Sequence, residues 1–238
     1  MSTFVLVHGA WLDATCWTPV AARLQAAGHT VRTPDLPGHG ADSTPLAGQT
    51  LEAYTARVLR EVDAAAEPVV LVGHSMGGIV ISSVAEQRPE RVQRLVYVAA
   101  YLLGAGETIR DQQDAASQVP PAMRPAADWS TIGIDPVLMP ALFFHDVADT
   151  VAAPLIAGSR AEATAPFGTP LTVSDARWGR VPRSYVTTTL DRAVTPALQA
   201  QFLAARPCAP VIAMETGHAP FAAQPDTLAA HLLALAVL

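Results

Sequence analysis

The chain has 238 residues, half of them apolar and only 15% charged, which fits one globular domain with a sizeable core and excludes a disordered polymer. Its net charge of −6 excludes the basic footprint that nucleic acid or an anionic membrane would need. All fifteen basic residues are arginine; lysine and asparagine are absent. Cys16 and Cys208 are too few for a disulfide framework and sit in no metal-ligand spacing, so both are read as buried thiols. Neither a secretion signal nor an apolar run of spanning length is visible, so a cytoplasmic protein is expected.

Phe4 to Val7 reads as a short buried strand running into His8-Gly9-Ala10-Trp11. A helical stretch from about Trp17 to Ala27 stops at Gly28, a favourable residue just past a helix end. A second strand over 29–33 leads to Pro34-Asp35-Leu36-Pro37-Gly38-His39-Gly40, a loop by composition. Thr50 opens a helix whose Leu51, Tyr54, Val58, Leu59 and Val62 fall on one face. The strand Val69–Val72 ends at Gly73-His74-Ser75-Met76-Gly77, and a helix follows from Ile79 to Arg88. Val92 to Ala99 is a further strand. Short strands alternating with helices predict right-handed βαβ units and a parallel sheet covered on both faces. From Leu102 to about Pro182 the strand pattern stops, and short helical pieces such as 136–144 and 151–156 predict an inserted helical lid over residues 102–182. The sheet resumes with strands at 184–189 and 211–214, separated by a helix over 196–205 and followed by a final helix from about Asp226. One domain over residues 1–238 is expected, without internal repeats.

The chemistry centres on Ser75. Strand, sharp turn and helix around Gly-x-Ser-x-Gly form a nucleophile elbow, in which flanking glycines make room for a strained serine at the tip. A bare match can arise by chance; the strand before it and the helix after it argue against that. A serine hydroxyl needs a base, and the base needs an orienting acid. His145, His218 and His231 are the histidines after Ser75. His231 lies on the last helix and His145 in the lid, whereas His218 follows the last strand, where ligands meet parallel sheets. His218 is therefore the candidate base, with a satisfied loop histidine as the bland alternative. Asp191, just past the preceding strand, is the candidate acid, with helix capping as its bland alternative. The oxyanion of a tetrahedral intermediate would be met by the backbone N–H groups of Met76 and Ala10. His8, His39 and Asp42 match no familiar zinc spacing, and turn chemistry accounts for that loop. His145-Asp146 with Asp149 reads as a solvated helix start.

Together, Phe-Val-Leu-Val-His-Gly-Ala-Trp (4–11), Asp-Leu-Pro-Gly-His-Gly (35–40), Val-Gly-His-Ser-Met-Gly-Gly (72–78), Thr-Leu-Asp-Arg-Ala-Val (189–194) and Gly-His-Ala-Pro-Phe (217–221) resemble the α/β-hydrolase branch of plant methylesterases and hydroxynitrile lyases. Bacterial carboxylesterases of the pyrethroid-hydrolase type are similar. The resemblance implies an α/β-hydrolase fold with a mostly parallel six-stranded sheet, a small helical lid, no cofactor and a homodimer. The lyases of this branch carry a lysine after the catalytic histidine, where Ala219 stands here, and an acid before the serine, where His74 stands.

The expected function is a serine carboxylesterase acting on small to medium apolar aryl or alkyl esters through an acyl-enzyme, with no metal. Trp11, Leu12, Tyr101, Trp129, Leu142, Phe143 and Phe221 are the expected substrate contacts. Met76 also borders that pocket. A carbon–carbon lyase and a hydrolase-fold ligand-binding protein are the alternatives. Dehalogenase and epoxide-hydrolase chemistry need an aspartate where Ser75 stands.

Overall fold

A computed structural model describes residues 1–112 and 114–238. Its spine is a six-stranded sheet in the order β2 (Thr30–Arg32), β1 (Thr3–Val7), β3 (Val69–His74), β4 (Val92–Val98), β8 (Arg183–Thr188) and β9 (Val211–Met214), with every neighbouring pair parallel. The first half comprises β1 (Thr3–Val7), α1 (Thr18–Ala26), β2 (Thr30–Arg32), α2 (Leu51–Asp63), β3 (Val69–His74), α3 (Gly77–Gln87) and β4 (Val92–Val98). The central strand β3 is buried along its whole length. That is why it reads as an unbroken apolar run rather than an alternating one.

Helix α2 shows how sequence becomes packing. Thr50 caps it by accepting the Ala53 N–H, and its buried side chains Leu51, Tyr54, Val58 and Val62 form the stripe that its spacing predicts. Helix α3 is buried on nearly all sides, and its N-terminus lies against β1. A Cβ on Gly77 would stand 2.9 Å from the carbonyl oxygens of both Val7 and His8. A Cβ on Gly78 would stand 2.3 Å from the Tyr101 oxygen. Glycine is required here for space.

Between β4 and β8 the chain forms α4 (Val119–Ala122), β5 (Met123–Pro125), β6 (Thr131–Ile134), α5 (Met139–Phe143), α6 (Asp149–Gly158), β7 (Glu162–Ala163) and α7 (Ala165–Gly168). The expectation that strands disappear here is corrected: β5, β6 and β7 make an antiparallel sheet of their own. These strands are two to four residues long, too short for alternation to register. The chain then returns through β8 (Arg183–Thr188), α8 (Pro196–Ala205), β9 (Val211–Met214), α9 (Pro220–Ala223) and α10 (Pro225–Leu235). Among the described residues, no helix is long and apolar enough to cross a membrane.

The small sheet is tied to the main body by buried polar contacts. Glu162 of β7 is fully buried and accepts the Tyr54 hydroxyl of α2 and the Ala163 N–H. Its other oxygen lies 3.1 Å from Nε2 of buried His39, within ion-pair range though bent away from hydrogen-bond geometry. Burial opposes a charge on His39, but Glu162 outweighs it and the histidine pKa is raised. His39 is therefore more than a turn residue. It is the core's half of a buried pair.

Candidate active site

The elbow places Ser75 at φ 52, a left-handed backbone that a serine holds only when its surroundings compel it. They do so through hydrogen bonds. The Ser75 N–H donates to Val98, and its carbonyl accepts from both Gly78 and Tyr101. Gly9 and Gly73 clear the space: a Cβ on Gly9 would lie 2.8 Å from Ser75 Cβ, and one on Gly73 would lie 2.7 Å from the Gly77 oxygen. Ser75 faces a cavity of about 930 Å³ that it shares with His218, Ala10 and Met76.

His218 stands on the loop after β9. Its Nδ1–H donates to Asp191 Oδ2 at 2.8 Å, and only 4% of either residue is exposed. Asp191 is fully occupied. Oδ2 also accepts the Thr188 hydroxyl, and Oδ1 accepts the Ala193 and Val194 N–H groups. The capping alternative is thus partly true, since Asp191 closes the turn before α8 with one oxygen while holding His218 with the other. The cap of α8 itself is Thr195.

Two further histidines buttress the site without facing the cavity. His74 Nε2–H donates to the His218 carbonyl at 2.8 Å, fixing the loop from behind. Burial, and then the neighbouring His218, hold the His74 pKa well below the usual value. His8 Nδ1–H donates to Gly9, and its Nε2 accepts the Leu36 N–H. Burial lowers its pKa to about 4. Both rings are neutral near pH 7.

The loop Ala10-Trp11 after β1 is held by the small sheet and by the segment leading into it. Trp11 takes φ 65, its indole N–H donates to Ile132 of β6, and its carbonyl accepts the Arg160 N–H. Asp146 and Asp149 are exposed and Asp149 opens α6, as a solvated helix start requires, but Asp146 has a further contact that the sequence did not show. Asp146 accepts the Gly217 N–H at 2.6 Å, and a Cβ on Gly217 would lie 2.6 Å from His145 Cε1. This corner is a stop for the loop carrying His218.

Of the expected substrate contacts, Trp11, Tyr101, Trp129 and Phe143 line the large cavity, as does Met76. Three do not. Leu142 lines neither cavity; it is 2% exposed and packs in the core. Leu12 and Phe221 border only a void of about 10 Å³, too small for more than one water. Phe221 instead packs edge-on to His74 at 5.0 Å and against Trp17. Motif spacing could not show this, because core-facing and cavity-facing apolar residues look alike in sequence. Phe167, Ile109 and Arg110 line the large cavity without any periodic signal of their own. Trp11 stacks on Phe143 at 5.8 Å and lies 5.9 Å from Phe167, making an aromatic wall. Among the described residues, no group of three His, Cys, Asp or Glu side chains is placed to hold a metal ion.

A parallel sheet with an elbow serine and a carboxylate-held histidine at its carboxyl edge defines a hydrolase-type α/β protein. The chain belongs to the alpha/beta hydrolase family, whose model matches residues 4–231. It is 29% identical to a pyrethroid hydrolase of Sphingobium wenxiniae over 96% of this chain and 85% of the relative. It is 31% identical to an Arabidopsis thaliana protein described as a chloroplastic methylesterase, over 98% of this chain, which spans 63% of that relative's length. A crystal structure of a pyrethroid hydrolase from Sphingobium faniae superposes with a TM-score of 0.86 at 27% identity, covering 99% of this chain and 97% of the other.

Proposed function

We propose that this chain is a serine carboxylesterase in which Ser75 is the nucleophile, His218 the general base and Asp191 the orienting acid. The observation that carries the reading is the 2.8 Å bond from His218 Nδ1–H to Asp191. It leaves Nε2 as the proton acceptor on a ring that shares a cavity with Ser75. The relatives named as methylesterase and pyrethroid hydrolase support the same chemistry.

Ser75 Oγ attacks the ester carbonyl while His218 Nε2 takes its proton. The developing oxyanion is met by the N–H groups of Ala10 and Met76, each worth about 3 kcal/mol in the transition state. Collapse expels the alcohol, which receives the proton from His218. Water, activated by the same imidazole, then releases the acid. The aromatic wall and the size of the cavity favour a medium-sized aryl or alkyl ester over acetate. Residues 102–182 act as the lid, with the small sheet as its fixed part. We place the protein in the cytoplasm, supported by the free thiols of Cys16, which is buried as expected, and Cys208, which is only half-buried, and expect the homodimer that the family resemblance implies, measurable by light scattering.

The test is hydrolysis of p-nitrophenyl butyrate. Ser75→Ala should reduce turnover by about a thousandfold or more; a loss under about a hundredfold would sink the mechanism. Ala219 beside His218 is buried and carries no cation, which favours hydrolysis over cyanide release from mandelonitrile. A folded protein whose Ser75 resists fluorophosphonate labelling would turn the reading toward ligand binding.

A further inference from the structure

We propose that the cavity selects esters carrying a carboxylate at the end remote from the scissile bond, and that Arg110 is the residue that recognises it. The inference rests on the esterase reading of Ser75 and names its substrate class.

The cavity is mostly apolar, yet it is lined by two charged side chains of opposite sign, Arg110 and Asp114. Their situations differ. Asp114 is already engaged: Oδ1 accepts the Thr195 hydroxyl and Oδ2 the Thr195 N–H. Arg110 makes no side-chain hydrogen bond or ion pair among the described residues, although its neighbours Asp111 and Glu107 are both occupied, by Thr108 and Arg206. Arg110 is exposed at the rim of the cavity, and its backbone is anchored there. The Arg110 N–H donates to Phe167, and the guanidinium lies over Gly168, where a Cβ would stand 3.0 Å from Cζ and Nη2. The same residue pair joins it to the aromatic wall, since Phe167 stands beside Trp11.

A cation at the solvent side of an apolar slot fits one kind of ligand well. The body of the ester lies along Trp11, Phe143 and Phe167, and an anionic head reaches the guanidinium fork, which suits a carboxylate's two oxygens. The chain as a whole carries −6 and repels anions at long range. Any preference for an anionic ester must therefore be local to the cavity.

Two matched pairs test this: monomethyl adipate against methyl hexanoate, and monomethyl suberate against methyl octanoate. Turnover is followed by acid release at constant pH. The ratio of kcat/KM for the acidic over the neutral ester should fall about tenfold in Arg110→Gln and be partly kept in Arg110→Lys. A ratio that stays the same in both pairs overturns the proposal, and so does an equal decline on both members of a pair, which would make Arg110 structural. Calorimetric binding of monomethyl suberate to Ser75→Ala, with and without Arg110→Gln, supplies a readout independent of turnover. Arg110-dependent binding without wild-type turnover would sink the esterase reading alone. Arg110-independent binding would sink this inference and leave the esterase reading standing.

Discussion

Asp191 spends each carboxylate oxygen on a different task, and that division makes its replacement informative. In Asp191→Asn the Oδ1 side can still accept the Ala193 and Val194 N–H groups, so the turn should survive. The amide that replaces Oδ2 would face His218 Nδ1 with a donor and force the wrong tautomer. We predict a fall in kcat of about a thousandfold to ten-thousandfold with the melting temperature nearly unchanged. An Asn variant that retains a tenth of the activity would contradict the geometry. His74 works one layer further back, through the carbonyl of His218. Because burial disfavours its charged form, His74 should show no protonation near neutral pH. An imidazole NMR titration that places a His74 transition at about pH 6.5 would contradict its buried setting.

Among the elements, the small antiparallel sheet carries more than its few residues suggest. It holds Trp11 through Ile132, and it is held in turn by Glu162 against His39 and Tyr54. Breaking one side of a buried charge pair leaves the other uncompensated. Glu162→Ala should therefore lower stability by about 3–5 kcal/mol in urea unfolding. It should also raise hydrogen exchange across β6 and β7; a change below about 1 kcal/mol would mean that removing Glu162 leaves no uncompensated charge on His39. The other sensitive junction is α3 against β1. Gly77→Ala places a methyl group against the Val7 and His8 carbonyls, backbone that cannot swing aside. We expect a loss of about 2 kcal/mol or more and a lower kcat, since the displaced strand end leads into Ala10.

For the whole molecule, the buried histidines set the direction of acid sensitivity. The folded-state pKa of His8 lies at about 4 against 6.5 for the free side chain, so the unfolded chain binds the proton that the folded one excludes. The stability contributed is fully present above about pH 6.5 and is lost as pH falls toward about 4, by up to about 1.4 kcal/mol per pH unit. His74 acts in the same direction. His39 has the opposite sign: its pKa is raised, so its contribution is present below about pH 6.5 and fades as pH climbs through the raised value. The melting temperature should drop between about pH 6.5 and about pH 5; a flat profile over that range would show that His8 and His74 take up protons without unfolding.

What local residues can specify, they did specify. Gly73, Gly77 and Gly78 prescribe a sharp strand-to-helix turn, because only glycine fits within 3 Å of facing backbone. The unbroken apolar run of β3 and the capped stripe of α2 announce a buried parallel sheet with covering helices. The positions of Asp191 and His218 at strand ends follow from the same periodicity. What needed the tertiary structure are contacts between residues far apart in the chain. His74 meets the His218 carbonyl across 144 positions. Tyr54 meets Glu162 across 108, and Trp11 meets Ile132 across 121. Strands as short as β7 carry no pattern, and a buried Glu162 looks in sequence like any solvated glutamate. Leu142 and Phe143 are neighbours, yet one packs into the core and the other lines the cavity. A helix turns by about 100° per residue, so which of two adjacent apolar side chains faces substrate is decided by how the helix is docked.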